Sequence, residues 1–260
     1  MPARMLRFFR QIRQKLIQQE NIRKYFWYAL GEIFLVVIGI LIALQINNWN
    51  ETQKDLKTEI RYLDRLITEV NTDIENISRA ITTDEYRKER ALFLINASKD
   101  KSLITENPSY FIESIEYAGY TSTPVISNQT FEEIKSSGKL SLIRNEEVRN
   151  AISVYYTNAE NRNQYRFITE DLQLKYLDYR VGILDAKQQI TMGSFREKIE
   201  FTSEDAEAVY ARFIERDEFV SWLPYIVQSK VRTYETYDGR LNVARELKET
   251  LEKELNRITK

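Results

Sequence analysis

Residues 25–46 form a run of 22 residues, YFWYALGEIFLVVIGILIALQI, in which Glu32 is the only charged side chain and no proline occurs. At about 1.5 Å of rise per residue, such a run crosses a hydrocarbon core of roughly 30 Å, which predicts one transmembrane helix. Tyr25, Trp27 and Tyr28 stand at one end and Trp49 at the other, where amphipathic rings mark the two headgroup levels. Arg4, Arg7, Arg10, Arg13, Lys15, Arg23 and Lys24 precede the run against Glu20 alone, a net of +6, whereas Asn47, Asn48, Asn50 and Glu51 follow it. The positive-inside bias therefore predicts a cytoplasmic N-terminus and an exported remainder. Leu41-Ile42-Ala43 is a poor cleavage site, so the segment is expected to stay as an anchor.

Within the span, Tyr28, Glu32, Gly39 and Ala43 fall within about 40° of one direction at 100° per residue. A small-xxx-small pair on the same stripe as a carboxyl group predicts a face on which another helix, from a second copy or another membrane protein, can pack. Three alternatives stand beside this reading. Tyr28 can satisfy a protonated Glu32, the carboxyl can reach the cytoplasmic interface, or Glu32 can conduct protons. The leader, residues 3–22, sets Met5, Phe8, Phe9, Ile12 and Leu16 between basic residues, the pattern of an amphipathic helix lying on anionic lipid, or of one docking on a cytoplasmic partner.

After the span, Leu56, Ile60, Leu63, Ile67, Val70, Ile74, Ile77 and Ile81 recur at alternating spacings of four and three, and neither glycine nor proline occurs between Gly39 and Pro108. That heptad seam predicts a helix over about 51–98, paired either with the same seam of another copy or with later helices of its own chain. The wider apolar stripe, with Leu66, Leu92, Phe93 and Leu94, favours the intramolecular packing.

Further along, Asn107-Pro108 and Gly119 bound a short helix over 108–118, and residues 121–127 read as a connector. Thr130-Phe131-Glu132-Glu133 has capping-box spacing, with Gly138 as the stop. A long helix is expected from Asn145 to about Arg180, an irregular connection over 182–201, a helix capped by Thr202 or Ser203, and a last helix over about 217–258 interrupted by Pro224. The predicted fold is all-α: a leader (1–24), a transmembrane helix (25–49) and an elongated exported helical bundle (50–260). Tyr155, Tyr156, Tyr176, Trp222 and Tyr225 are expected to pack the helices rather than line a pocket.

Gly31–Glu51, GEIFLVVIGILIALQINNWNE, preceded by RFFRQIRQKL and followed much later by TFEEIKSSGKLSLIRNEEVRNAISVYY, resembles an uncharacterised family of single-pass membrane proteins from Bacteroidota. The resemblance implies a single-pass protein of the bacterial inner membrane with a helical exported, periplasmic domain behind its anchor, and no activity.

Composition narrows the chemistry. Cysteine and histidine are both absent, which excludes disulfides, thiolate nucleophiles, Ser-His-Asp triads and His-ligated metals in this chain. The positive charge sits in the leader, while residues after the span carry a net of −6, which gives an exported domain no nucleic-acid-binding character. No catalytic, cofactor-binding or metal-ligating set is expected. The function expected is a membrane-anchored interaction or scaffold protein of the envelope, and the alternative is a sensory accessory whose exported helices bind a small ligand.

Overall fold

The computed structural model describes residues 22–161, 163–193 and 200–260, and among them every regular element is helical. The amphipathic reading of residues 3–22 lies outside the described residues, apart from Ile22. The helices are α1 (Ile22–Ala97), α2 (Ser102–Glu106), α3 (Pro108–Tyr117), α4 (Gln129–Ser136), a 3-10 turn (Lys139–Leu142), α5 (Glu146–Asn161), α6 (Asn163–Arg180), α7 (Ala186–Met192), α8 (Ser203–Ile214) and α9 (Asp217–Thr259). The chain divides into two compact units, Met1–Thr58 and Glu59–Lys260.

In the first unit, α1 is apolar and open. Ile33, Phe34, Leu35, Val36, Leu41, Ile42, Leu44 and Ile46 are all more than half exposed. One window of this helix is long and apolar enough to cross a membrane, and none of it is buried.

In the second unit, α1 from Glu59 onward lies antiparallel to α9. Asp84 pairs with Lys230, Ile77 and Ala80 share a core with Tyr237 and Leu241, and Leu63, Leu66 and Val70 pack with Ala244, Leu247 and Leu251. α5 and α6 pack on α9, while α3 packs on α7 and α8. Two main cores result. One joins Phe131, Ile134, Val148, Ile152, Tyr155 and Tyr156 to the pair of long helices. The other gathers Leu94, Phe111, Ile115, Tyr176, Phe213, Phe219 and Leu223, with edge-on rings at 5.6 Å for Phe111–Phe213 and 5.9 Å for Phe213–Phe219. Each such side chain fully withdrawn from water contributes about 1.5–3 kcal/mol, which is what holds the helices together.

The buried line of α1 is rotated from the heptad seam read in the sequence. Leu63, Val70 and Ile77 are fully buried, but Ile60, Ile67, Ile74 and Ile81 are only half-buried. Their places on the axis of the interface are taken by the preceding residues, Glu59, Leu66, Asp73 and Ala80. Leu56 belongs to the first unit. Two of the four substitutes are acidic, and an apolar count passes over them.

Three local expectations change. Helix α4 has Asn128 as its N-cap with no side-chain cap bond. The Thr130 N–H and hydroxyl both donate to Glu69 of α1 instead, so the capping carboxylate comes from another helix. Gly119 is not needed for a left-handed turn, since Gly138 and Gly182 are the glycines with positive φ among the described residues; it sits against the Tyr176 ring. The connection after Gly182 contains α7, opened by a reciprocal Asp185–Gln188 capping box. The stretch expected as one helix from Asn145 to Arg180 is helical throughout its described residues from Glu146 onward, α5 and α6. Expectations that hold are the Asn107 cap on the Tyr110 N–H and the Thr202 capping box with Asp205. Pro224 lies inside α9, which runs through it.

Candidate functional site

Tyr28, Glu32, Gly39 and Ala43 all lie on α1 in the first unit, at turn spacings that put them on one face of a continuous helix. A Cβ built on Gly39 meets nothing within 4 Å among the described residues, so no described neighbour requires glycine there. Among the described residues the Tyr28 hydroxyl has no hydrogen-bond partner.

The second unit holds polar structure that sequence reasoning missed. Residues 120–128 have no regular secondary structure, yet they form a strap tied down along its length. The Tyr120 carbonyl accepts from Lys230 Nζ at 2.6 Å and the Ser122 carbonyl from the Tyr237 hydroxyl at 2.6 Å. Thr121 donates through its N–H and hydroxyl to Gln173, the Val125 carbonyl accepts from Asn76, and the Ser127 N–H donates to Asp73 at 2.7 Å. Past the strap, Glu69 takes the Thr130 N–H at 3.0 Å and Glu59 takes both the N–H and the guanidinium of Arg144 at 2.8 Å. Buried backbone donors must be paired, and here carboxylates on the core face of α1 pair them. The connector is therefore part of the packed structure, and the acidic residues displaced the seam because Asp73 holds the connector and Glu59 holds Arg144.

Asp73 is fully buried and also accepts from the Tyr155 hydroxyl at 2.8 Å. Burial pushes its carboxyl up to about 6, against the pull of the Ser127 and Tyr155 bonds and with a push from Glu69. Between its ordinary value of 3.8 and about 6, the folded state holds a proton that the unfolded state has released. Stability from this group therefore falls as pH rises through that interval, by up to about 3 kcal/mol at 1.36 kcal/mol per pH unit. Chemical denaturation of the full chain in detergent micelles, read by near-ultraviolet circular dichroism at pH 4, 5, 6 and 7, is expected to show Asp73→Asn gaining on the parent as pH rises. A difference between the two proteins that stays constant with pH would refute the assignment.

A cavity of about 410 Å³ opens between α1, the start of α3 and the entry to α8, lined by Tyr86, Arg90, Asn107, Ser109, Tyr110, Glu113, Glu200 and Phe201. Arg90, 2% exposed, forms its floor. Its guanidinium carbon lies 4.4 Å from the Tyr86 ring centre, 4.7 Å from Tyr110 and 5.9 Å from Tyr117. The guanidinium donates to Glu113 at 2.9 Å, to Ser114 at 3.3 Å and to the Tyr86 hydroxyl. An arginine boxed by aromatic faces and one carboxylate is fixed in place. Apart from Asn107, read as a helix cap, none of these residues stood out in the sequence, because they come from three separate segments and Arg90 interrupts an apolar face; Tyr86 and Arg90 at i, i+4 were the available signal.

Among the described residues, no cluster of three or more acidic side chains has the arrangement to hold a metal ion. No curated protein and no solved structure matches the chain. One family does match, over residues 32–192. That stretch holds about the last two thirds of the apolar run, the acidic face of α1, the strap and α5 to α7, but not α9, against which α1 packs. The chain belongs to the family of unknown function DUF6090.

Proposed function

We propose that this is a single-pass, inner-membrane-anchored protein with a cytoplasmic N-terminus and a periplasmic helical domain. It acts as an envelope interaction or scaffold protein and not as a catalyst, and associates through the Tyr28, Glu32, Gly39 and Ala43 face of its apolar helix. The observation that carries the reading is Gly39. Glycine inside a helix costs about 1 kcal/mol relative to alanine, and at this position nothing among the described residues lies within 4 Å of a Cβ. Close approach of a second helix supplies the missing reason, and a carboxyl group on the same stripe supplies a polar contact worth having in hydrocarbon. Around that face the large apolar residues stand exposed, as lipid-facing residues do.

The absence of native cysteine makes the test direct. Single cysteines placed as Ala43→Cys or Leu41→Cys, oxidised in native membranes, report which face meets a partner. Ala43→Cys is expected to cross-link, to itself or to one defined membrane protein carrying an engineered cysteine, and Leu41→Cys is not. Adding Glu32→Leu and Gly39→Leu to the Ala43→Cys chain is expected to abolish the product and the matching partner in affinity purification, with insertion unchanged. Equal cross-linking from both faces overturns the proposal. A second reading, a sensory accessory that binds a small ligand through its periplasmic helices, is favoured by the cavity over Arg90.

A further inference from the structure

Residues 121–127 run along the pair of long helices without one backbone-to-backbone hydrogen bond among the described residues. A helix holds itself, but this segment is held by side chains of other elements. Arg87 donates to the Ser122 hydroxyl at 2.8 Å, in addition to the bonds with Lys230, Tyr237, Gln173, Asn76 and Asp73. Against it lies the smallest of the three apolar clusters, Ile77 and Ala80 of α1 with Tyr237 and Leu241 of α9. Pro124 is buried, and Ile126 packs on that cluster and on the neighbouring core. Thr123 and Val125 are exposed, Val125 at 72%. That alternation belongs to a segment laid on a surface rather than threaded through it. Few apolar contacts and no backbone ladder are the conditions under which a segment opens while the rest of a domain stays folded.

The tie points are not equivalent. At the start of the strap Lys230 holds the Tyr120 carbonyl, and just past its end Glu69 holds the N–H and hydroxyl of Thr130. Between them the Ser127 N–H rests on Asp73, a carboxyl group with no exposed surface. We infer that residues 121–128 are a latch, which lifts from α1 and α9 between these two fixed points while the helices stay packed, and that the protonation of Asp73 sets how often it lifts. The groups that face Asp73 are Glu69 on α1, the Tyr155 hydroxyl and Tyr156 on α5 and Ser127 on the strap, with Arg240 of α9 acting on Tyr155. Burial outweighs the hydrogen bonds among them and holds the carboxyl up to about 6. Lifting the strap admits water and returns the group toward its ordinary 3.8. The closed latch therefore keeps a proton between those values that the open latch releases, and opening increases as pH rises. Lys230, faced by Asp84 and Arg87, is lowered by burial only to about 8 and stays charged over this interval. The apolar strip formed by Ile77, Ala80, Tyr237 and Leu241 is thus uncovered more often near neutral pH than in acid. The latch lies wholly within the second unit and is independent of the membrane face.

The test is hydrogen exchange of the full chain in detergent micelles at pH 5 and pH 7, read residue by residue by fragmentation mass spectrometry and corrected for intrinsic exchange rates. The Ser127 amide is expected to be at least about tenfold less protected than the amides of Leu241 and Ala244 in α9, and insensitive to urea well below the unfolding transition, as a local opening is. Its protection is expected to fall by up to about tenfold from pH 5 to pH 7, the limit reached when opening returns Asp73 fully to its ordinary value. In Asp73→Asn that fall should vanish. Ser127 protection equal to that of the α9 amides, or with their urea dependence, overturns the latch. Equal protection at the two pH values, or a pH difference that persists in Asp73→Asn, overturns the role of Asp73. The urea and pH readings use the parent chain alone, so they decide the matter even if Asp73→Asn fails to fold.

Discussion

Gly119→Ala is expected to destabilise the protein by about 3 kcal/mol or more, at or above the upper end of the roughly 1–3 kcal/mol that overpacking a core usually costs. A Cβ at this position would stand 2.0 Å from Cγ and 2.1 Å from Cδ1 of Tyr176. The ring has nowhere to go. Its hydroxyl donates to the Ile115 carbonyl at 2.8 Å, its other flank meets Phe219 at 5.1 Å, and the side chain is fully buried. Two other glycines separate sterics from backbone strain. Gly138 has a φ of 68° and open space around it, so Gly138→Ala costs about 1 kcal/mol for the left-handed conformation alone. Gly239 lies in the interior of α9 with nothing within 4 Å, so Gly239→Ala stabilises by about 0.5–1 kcal/mol through helix propensity. Urea titration of the three variants should rank them in that order. A Gly119→Ala protein as stable as the Gly138→Ala protein would show that the contact with Tyr176 is not tight.

The same residue shows how far the sequence could be read. Gly119 was legible as a helix stop but not as the seat of an aromatic ring 57 positions later, because close approach is a property of two segments and periodicity sees one. The all-helical content, the ends of α3 and α8 and the long patterned helix were legible, since capping and heptad spacing are local physics. The phase of that helix was not. Ile60, Ile67, Ile74 and Ile81 outweigh Glu59 and Asp73 on any apolar scale, yet the acids are the fully buried ones. Their cost in the core is offset by donors from the strap and from Arg144, and those partners lie 54 and 85 residues away. Of the candidate sites, the face holding Glu32 and Gly39 could be read from one helix. The cavity over Arg90 could not, for α1, α3 and the entry to α8 all contribute to it.

Lys230→Met is the second large effect, expected to cost about 3–5 kcal/mol, the range for removing one partner of a buried ion pair. Lys230 and Asp84 are 2% and 4% exposed, with 3.2 Å between Nζ and Oδ1. The ammonium group also holds the Tyr120 carbonyl at 2.6 Å, so the change frees one end of the strap as well. Asp84 would keep only the longer contact from Arg87, at 3.3 Å, and its Oδ2 already lacks a partner. Against a total stability of about 5–15 kcal/mol for an ordinary domain, such a loss is a large share. Two controls identify the cause. Asp84→Leu with Lys230→Met removes both charges, and its cost should fall well below the sum of the single changes, because no buried charge is stranded. The parent should also gain stability as pH rises from about 8 toward 10.5, the interval over which burial lowers Lys230 from its ordinary value. There the unfolded state binds the proton that the folded state has released, so the slope is positive, and it should be flatter in Lys230→Met. Additive single and double changes with an unaltered slope would mean that the pair acts as packing volume rather than as charge.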